Sequence, residues 1–67
     1  MNRDQMKGKW NQLAGKARAR WGELTDDDMQ AIEGNAQQLA GKLQERYGYT
    51  KEQAERELDE WLTTVEA

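Results

Sequence analysis

The chain has 67 residues and a formal net charge of −3 at pH 7, and 34% of its residues are charged. It contains neither cysteine nor histidine, which excludes disulfides, thiolate metal sites and an imidazole acid–base group. A chain this short buries only about 60% of the surface that its unfolded form exposes, so we expect one small domain over residues 1–67 with no separate catalytic part. No apolar run approaches the roughly 18 residues of a membrane span, and the N-terminus lacks a hydrophobic signal segment, so a cytoplasmic protein with no membrane association is expected.

Charge is distributed unevenly along the sequence. Residues 1–22 contain six basic groups and one acidic group, whereas residues 23–67 contain four basic and twelve acidic groups. Such an asymmetry can attract an anionic partner, or it can dock one half of the molecule on the other.

The first predicted element is a helix from about residue 3 to residue 21. Apolar residues recur with the i, i+3, i+4 spacing of one helical face, at Met6, Trp10, Leu13, Ala14, Ala17, Trp21 and then Leu24. Gly22 follows the last turn, where a residue with positive φ often ends a helix. We therefore predict a positive φ at Gly22.

The next stretch predicts a helix that begins after Thr25, whose hydroxyl can accept a hydrogen bond from the first turn. Asp26, Asp27 and Asp28 fill that turn, where the helix dipole favours negative charge. Gly34-Asn35 predicts a break into helices near 26–33 and 35–47, although the unbroken apolar phase also permits one long helix. Gly48 is predicted to end this stretch with a positive φ.

The last predicted helix starts after Thr50, with Gln53 at the reciprocal position of a capping box. No stretch alternates with period two, so the fold class is all-α with about four helices. One core is expected to join all of them, formed by Trp10, Leu13, Trp21, Leu39, Leu43, Tyr47, Leu58 and Trp61. Tyr49 is predicted to be the exposed aromatic residue.

The chain carries one stretch twice: QLAGKARARWG at residues 12–22 and QLAGKLQERYG at residues 38–48. A repeat of this kind predicts one helical unit used twice, with neither copy able to bury its apolar face alone. Gly15 and Gly41 lie on the backs of the two helices, where glycine costs about 0.8–1 kcal/mol relative to alanine. Their recurrence favours a contact surface there, either a close helix crossing or a partner's docking groove.

Several short motifs in a fixed order resemble the CsbD-like stress proteins over roughly residues 2–61. They are Gly8-Lys9-Trp10, Gly15-Lys16, Trp21-Gly22, Leu24 through Asp28, Gly34, Gln38-Leu39, Gly41-Lys42, Gln44 through Gly48, and Lys51 through Glu55. The resemblance implies a small bacterial protein of the general or osmotic stress response. It also implies a SAM-domain-like fold of two helical hairpins packed crosswise. The family provides no catalytic residue, ligand or partner to transfer, and this chain departs from it at Ala14 and Ala36.

Two groups of charged residues could suggest sites. The three consecutive aspartates point in directions about 100° apart and lack the ligand alternation of a calcium loop, so helix capping is the favoured interpretation. A nucleic-acid surface could be formed by the basic residues of the first helix, Lys7, Lys9, Lys16, Arg18 and Arg20. These residues flank both edges of the apolar stripe, and the acidic remainder of the chain would repel nucleic acid.

The sequence therefore predicts a non-enzymatic stress-response protein that acts as a small interaction module, with an unidentified protein partner. The alternatives are nucleic-acid binding through the basic first helix and a hydrophilic protectant that works by abundance. We expect no catalytic, metal-ligating or cofactor-binding residue, and a monomer or weak dimer.

Overall fold

The computed structural model describes residues 1–66, and every regular element in that range is helical. The five helices are α1 (Arg3–Gly8), α2 (Trp10–Arg20), α3 (Asp26–Ile32), α4 (Ala36–Tyr47) and α5 (Lys51–Glu66). α4 is central, because it packs against α5, α3 and α1. The all-α prediction is confirmed, and the particular crosswise arrangement of a SAM domain stays a prediction.

The predicted helix over 3–21 is two helices, which raises the number of helices from about four to five. α1 begins in a capping box between Asn2 and Gln5. It ends at Lys9, whose φ of −112° and ψ of 14° interrupt the helical geometry before α2 starts. Gly8 immediately precedes this break, and glycine is a weak helix former because it has the most backbone freedom to lose.

The prediction of a positive φ at Gly22 is wrong, whereas the same prediction for Gly48 is confirmed with a φ of 70°. The chain leaves α2 one residue earlier, at Trp21, with φ −122° and ψ 84°. This non-helical exit accompanies an indole that is only 2% exposed. Gly22 therefore does not have to reverse the chain direction.

The break between α3 and α4 is confirmed, and a single long helix over this stretch is excluded. Glu33 and Gly34 both take left-handed conformations, with φ of 46° and 81°. A Cβ at Gly34 would lie 2.9 Å from Lys7 Cα and 3.0 Å from Trp10 Cβ, so this turn packs closely against the first two helices. Asn35 then caps α4 by accepting a hydrogen bond from the Gln38 amide.

One apolar core joins both copies of the repeat. Six of the eight predicted core residues are buried in it, and Trp10 and Tyr47 are partly buried at its edge. The rings of Trp21 and Trp61 lie 5.2 Å apart at 59°. The core also contains Met6, Ala17, Leu24, Ile32, Ala40, Ala54 and Leu62.

Two predictions about single positions at the edge of the fold are corrected. Tyr49 is partly buried and stacks on Tyr47 with ring centroids 5.3 Å apart, so it is not an exposed aromatic. A Cβ added at Gly15 or Gly41 would meet open space, with no atom from beyond its own stretch of helix within 4 Å. A close helix crossing at these glycines is therefore wrong, and a partner at either one stays a prediction.

Candidate functional site

Two of the five basic residues predicted to bind nucleic acid form ion pairs with carboxylates of the same chain. Arg18 Nη1 forms an ion pair with Asp26, and Arg20 Nη2 lies 3.2 Å from Glu57 Oε1. The Arg20 guanidinium is also 6.0 Å from the ring centroid of Trp21. These pairs connect the basic half of the chain to the acidic half.

The other three residues, Lys7, Lys9 and Lys16, are exposed and form no ion pair with the part of the chain that the structure describes. Lys9 and Lys16 line a small hollow beside Gln5 and Gln12. Lys7 lies apart from that hollow. Lys16 also lines a second hollow with Arg20, so Lys9, Lys16 and Arg20 are neighbours, and a nucleic-acid role for the five residues stays a prediction.

A third arginine, Arg3, was not singled out by the sequence analysis. Its Nε lies 3.1 Å from Asp59 Oδ1, and its Nη1 lies 3.3 Å from Glu55 Oε1. The hydrogen bond to Asp59 is the main cause of a raised pKa at Arg3. The only signal in the sequence for these ion pairs of Arg3 was the charge asymmetry, which allowed the basic part of the chain to dock on the acidic part.

Asp28 is the one buried charged residue among those described, and its side chain is 3% exposed. Arg46 donates to both of its oxygens, from Nε at 2.7 Å and from Nη2 at 3.0 Å. The Thr25 amide donates to Oδ2 at 3.0 Å, and Lys42 Nζ lies 3.5 Å from Oδ1. Helix capping therefore explains only the contact of Asp28 with Thr25, and not its contacts with Arg46 and Lys42.

The hydrogen bonds from Arg46 are the main cause that holds the pKa of Asp28 well below its usual range. The Thr25 amide acts in the same direction, and burial opposes both. Asp28 thus stays ionised at neutral pH as an internal anchor between α3 and α4. Asp26 and Asp27 are exposed, and no group of three potential metal ligands is found among the described residues.

An open groove with a volume of about 590 Å³ lies where α1 and α2 face α3. We call it the Trp10 groove, and the lining residues that matter here are Lys7, Trp10, Ala14, Met29, Gln30 and Glu33. Trp10 is partly exposed there, whereas Trp21 and Trp61 are only 2% and 4% exposed. The core prediction for Trp10 missed this exposed edge, because periodicity does not tell which end of an apolar stripe remains uncovered.

Within residues 1–66, none of the helices combines the length and the apolar character needed to cross a bilayer.

A family model described as CsbD-like matches residues 4–56 of the chain. A UPF0337 protein of Bordetella pertussis is 64% identical over 62 residues, which cover 92% of this chain and 94% of that protein. A UPF0337 protein of Pseudomonas aeruginosa is 61% identical over 58 residues, covering 87% and 89%. The UPF0337 protein YjbJ of Escherichia coli K12 is 56% identical over 66 residues, covering 98% and 96%. None of these names states an activity or a ligand.

Proposed function

Because the chain belongs to the CsbD-like family, we propose that it is a non-enzymatic protein of the bacterial stress response that acts as a small, folded interaction module in the cytoplasm. In this proposal the chain is a single domain, and its partner is a protein. The module would work by presenting a fixed surface rather than by chemistry on a substrate.

The ion pair between the buried Asp28 and the partly exposed Arg46 is the observation that carries this proposal. A buried charge is costly unless it is paired and hydrogen-bonded, so the pair specifies one arrangement of α3 against α4. A protectant that acts through polar composition and abundance needs no such arrangement. The pair therefore favours a function that depends on the folded shape.

Nucleic-acid binding is the second candidate, and it is favoured by the three lysines in and between the first two helices, which have no carboxylate partner within residues 1–66. Phosphate contacts come from clustered cations, but Arg18 and Arg20 are already paired with carboxylates. Of the remaining three, Lys9 and Lys16 share one hollow, and Lys7 lines another. This arrangement supports protein binding over nucleic-acid binding.

A crosslinked pull-down from osmotically stressed cells tests the proposal. The parent chain should capture a defined set of proteins, and capture should survive nuclease treatment. Trp21→Ala, which removes a core ring, should lose the capture because it loses the fold. An Arg18/Arg20 charge-reversed variant that stays folded should retain the capture, because those two side chains already face carboxylates of their own chain.

The alternatives give different results in the same experiment. Capture that disappears on nuclease treatment, with strong salt dependence, would indicate nucleic-acid binding. Protection of cells that persists in the unfolded Trp21→Ala variant, without any specific capture, would instead indicate a protectant.

A further inference from the structure

Two hollows meet where α2 faces the end of α5. The first is the small hollow beside Gln5 and Gln12, with a volume of about 180 Å³, and the second has a volume of about 420 Å³. Lys16 and Val65 line both hollows, so the two form one continuous groove. We call it the basic groove, and the lining residues that matter here are Lys9, Lys16, Ala19, Arg20, Trp61 and Val65.

Every charged residue among the described ones that line the basic groove is a cation. Lys9, Lys16 and Arg20 are separated by seven and four positions. These spacings are close to whole helical turns, so the three cations follow one edge of α2 over about 16 Å. Arg20 is partly neutralised by Glu57, which leaves the two lysines as the main source of positive potential. By contrast, the Trp10 groove is lined by charges of both signs. The basic groove therefore attracts an anionic group.

The two hollows of the basic groove differ in polarity. The surface of the first is mainly polar, whereas the surface of the second is mainly apolar. In the second hollow Ala19 is exposed and Val65 is half-buried, but Trp61 is only 4% exposed. The accessible apolar surface is thus aliphatic, without an open aromatic face. An apolar side chain of a partner would be removed from water there, next to the cations.

This combination discriminates among anionic partners. Single-stranded nucleic acid stacks its bases on aromatic rings, and the one ring among the described lining residues, Trp61, is nearly covered. A lipid surface is bound by protruding apolar side chains, and no large apolar side chain is exposed within residues 1–66. For the same reason a second copy of this chain could offer carboxylates but no large side chain for the apolar hollow.

We propose that the basic groove binds an acidic segment of a partner protein. Carboxylates of this segment pair with Lys9 and Lys16, and an apolar side chain of the segment enters the second hollow beside Ala19 and Val65. A length of about 16 Å corresponds to about 11 residues of helix or about five residues of extended chain. The inference rests on the proposed function as an interaction module and names the chemistry of its partner.

Selection from a displayed library of random 12-residue peptides tests the proposal. The library is selected against the immobilised full chain and against the groove variant Lys9→Glu/Lys16→Glu. The control variant Lys7→Glu/Lys51→Glu has the same net charge as the groove variant, and it changes two exposed lysines that do not line the basic groove.

The parent and the control variant should both enrich peptides that combine acidic with apolar residues. The groove variant should bind the parent's best peptide at least about tenfold more weakly, because two exposed attractive pairs become repulsive. If the groove variant does not melt cooperatively, Lys9→Gln/Lys16→Gln replaces it. This milder variant should bind about threefold more weakly, since attraction is lost without repulsion.

The apolar hollow is tested without any change of charge. Ala19→Gln places a longer polar side chain there and should weaken binding of the best peptide about fourfold, as expected for the loss of about one buried methylene group. Ala31→Gln changes an exposed alanine of α3 outside the groove and should leave the affinity unchanged. Binding should also shift the backbone amide resonances of Ala19 and Val65 more than that of Ala31.

Five results would overturn the inference. Three come from the selection: no peptide enriched above the bare surface, enriched peptides without an excess of acidic residues, or equal binding of the best peptide by the parent and the groove variant. Tighter binding of a 20-nucleotide single-stranded DNA than of the best peptide, with shifts at Ala19 and Val65, would assign the groove to nucleic acid. Self-association in sedimentation that the groove variant abolishes would assign it to a second copy.

The stressed-cell pull-down separates failure of this inference from failure of the proposed function. Partner capture that is unchanged in the groove variant Lys9→Glu/Lys16→Glu would leave an interaction module whose binding surface lies elsewhere. Loss of that capture in the groove variant, with capture retained in Lys7→Glu/Lys51→Glu, is the expected result.

Discussion

Removing the buried carboxylate of Asp28 should destabilise the protein strongly. The group accepts two hydrogen bonds from Arg46 and one from the Thr25 amide. Hydrogen bonds to a charged group contribute about 1.5–3 kcal/mol each, and a helix cap contributes about 1 kcal/mol. Since the Arg46 side chain is 36% exposed and can be rehydrated, the sum must be discounted. We expect Asp28→Ala to lower the free energy of unfolding by about 2–4 kcal/mol.

Replacing the other partner gives a complementary prediction. Arg46→Met leaves a buried carboxylate that keeps only the Thr25 amide and the more distant Lys42 ammonium, 3.5 Å away. An unpaired buried charge costs about 3–5 kcal/mol, and Lys42 offsets part of it. The double variant Asp28→Ala/Arg46→Met should therefore lose less free energy of unfolding than the two single variants lose in total. We expect the difference to be about 2 kcal/mol.

The pH dependence has a definite sign. Because the pKa of Asp28 is lower in the folded state, the unfolded chain takes up the proton first as the pH falls. The contribution of Asp28 is complete above about pH 5 and is lost progressively below about pH 4. Between pH 4.5 and pH 3 the parent should lose about 1 kcal/mol more than Asp28→Asn does.

Urea unfolding followed by circular dichroism measures all of these quantities, and sucrose can raise the stability of variants that are too weak to show a folded baseline. Two results together would refute the reasoning: the same loss of stability in acid for the parent and Asp28→Asn, and a decrease in the free energy of unfolding of Asp28→Ala below about 0.5 kcal/mol at pH 7. Such a result would mean that the carboxylate is solvated rather than anchored.

The remaining predictions concern one core ring and four glycines. Trp21→Ala should abolish cooperative melting, because truncating a buried tryptophan costs about 3–5 kcal/mol, which equals the total stability expected of a domain this small. A cooperative transition with a melting temperature only slightly below that of the parent would contradict this. Gly34→Ala should cost about 2–4 kcal/mol in urea unfolding, since it combines a left-handed backbone with a Cβ 2.9 Å from another residue's backbone. Gly15→Ala and Gly41→Ala, which meet open space, should instead raise the stability by up to about 1 kcal/mol, and a loss at either would show a contact there. Gly48→Ala should lower the melting temperature because its φ is 70°, and an unchanged melt would argue against that conformation.

Local signals in the sequence predicted most of the helical boundaries. Thr25 and Thr50 both cap helices through capping boxes, and Gly34 marks the break between α3 and α4. These signals succeed because a cap depends on residues only three positions apart. The apolar spacing predicted the core for a similar reason, since a helical stripe has to be buried against something.

The role of Asp28 depends on distant residues, which is why the sequence analysis did not distinguish it from Asp26 and Asp27. Its partner Arg46 is 18 positions away, on a helix whose placement is decided by the core. A weak signal was present, because Asp28 precedes the buried Ile32 by four residues and so shares its helical face. A carboxylate on an apolar face requires a partner, and this requirement could have directed attention to the repeat's arginine.

The two copies of the repeat differ in the ion pairs that they form, although many of their residues are identical. In the second copy, both Lys42 and Arg46 face Asp28. In the first copy Arg20 reaches Glu57 on α5, and Lys16 has no ion-pair partner among the described residues. The identical leucines, Leu13 and Leu39, lie in the core in both copies, whereas the identical lysines and arginines differ in the carboxylates that they reach.

The same difference bears on where the proposed partner would bind. A module built from two equal halves would satisfy its charges equally on both sides, and no part of its surface would be distinguished. Here Lys42 and Arg46 in the second half face the buried Asp28, whereas the first half has the partly covered Trp10 just before its copy of the repeat. Lys16, the counterpart of Lys42 in the first copy, lines the basic groove. An interaction surface is therefore expected at the basic groove, which, like the Trp10 groove, takes none of its described lining residues from the second copy.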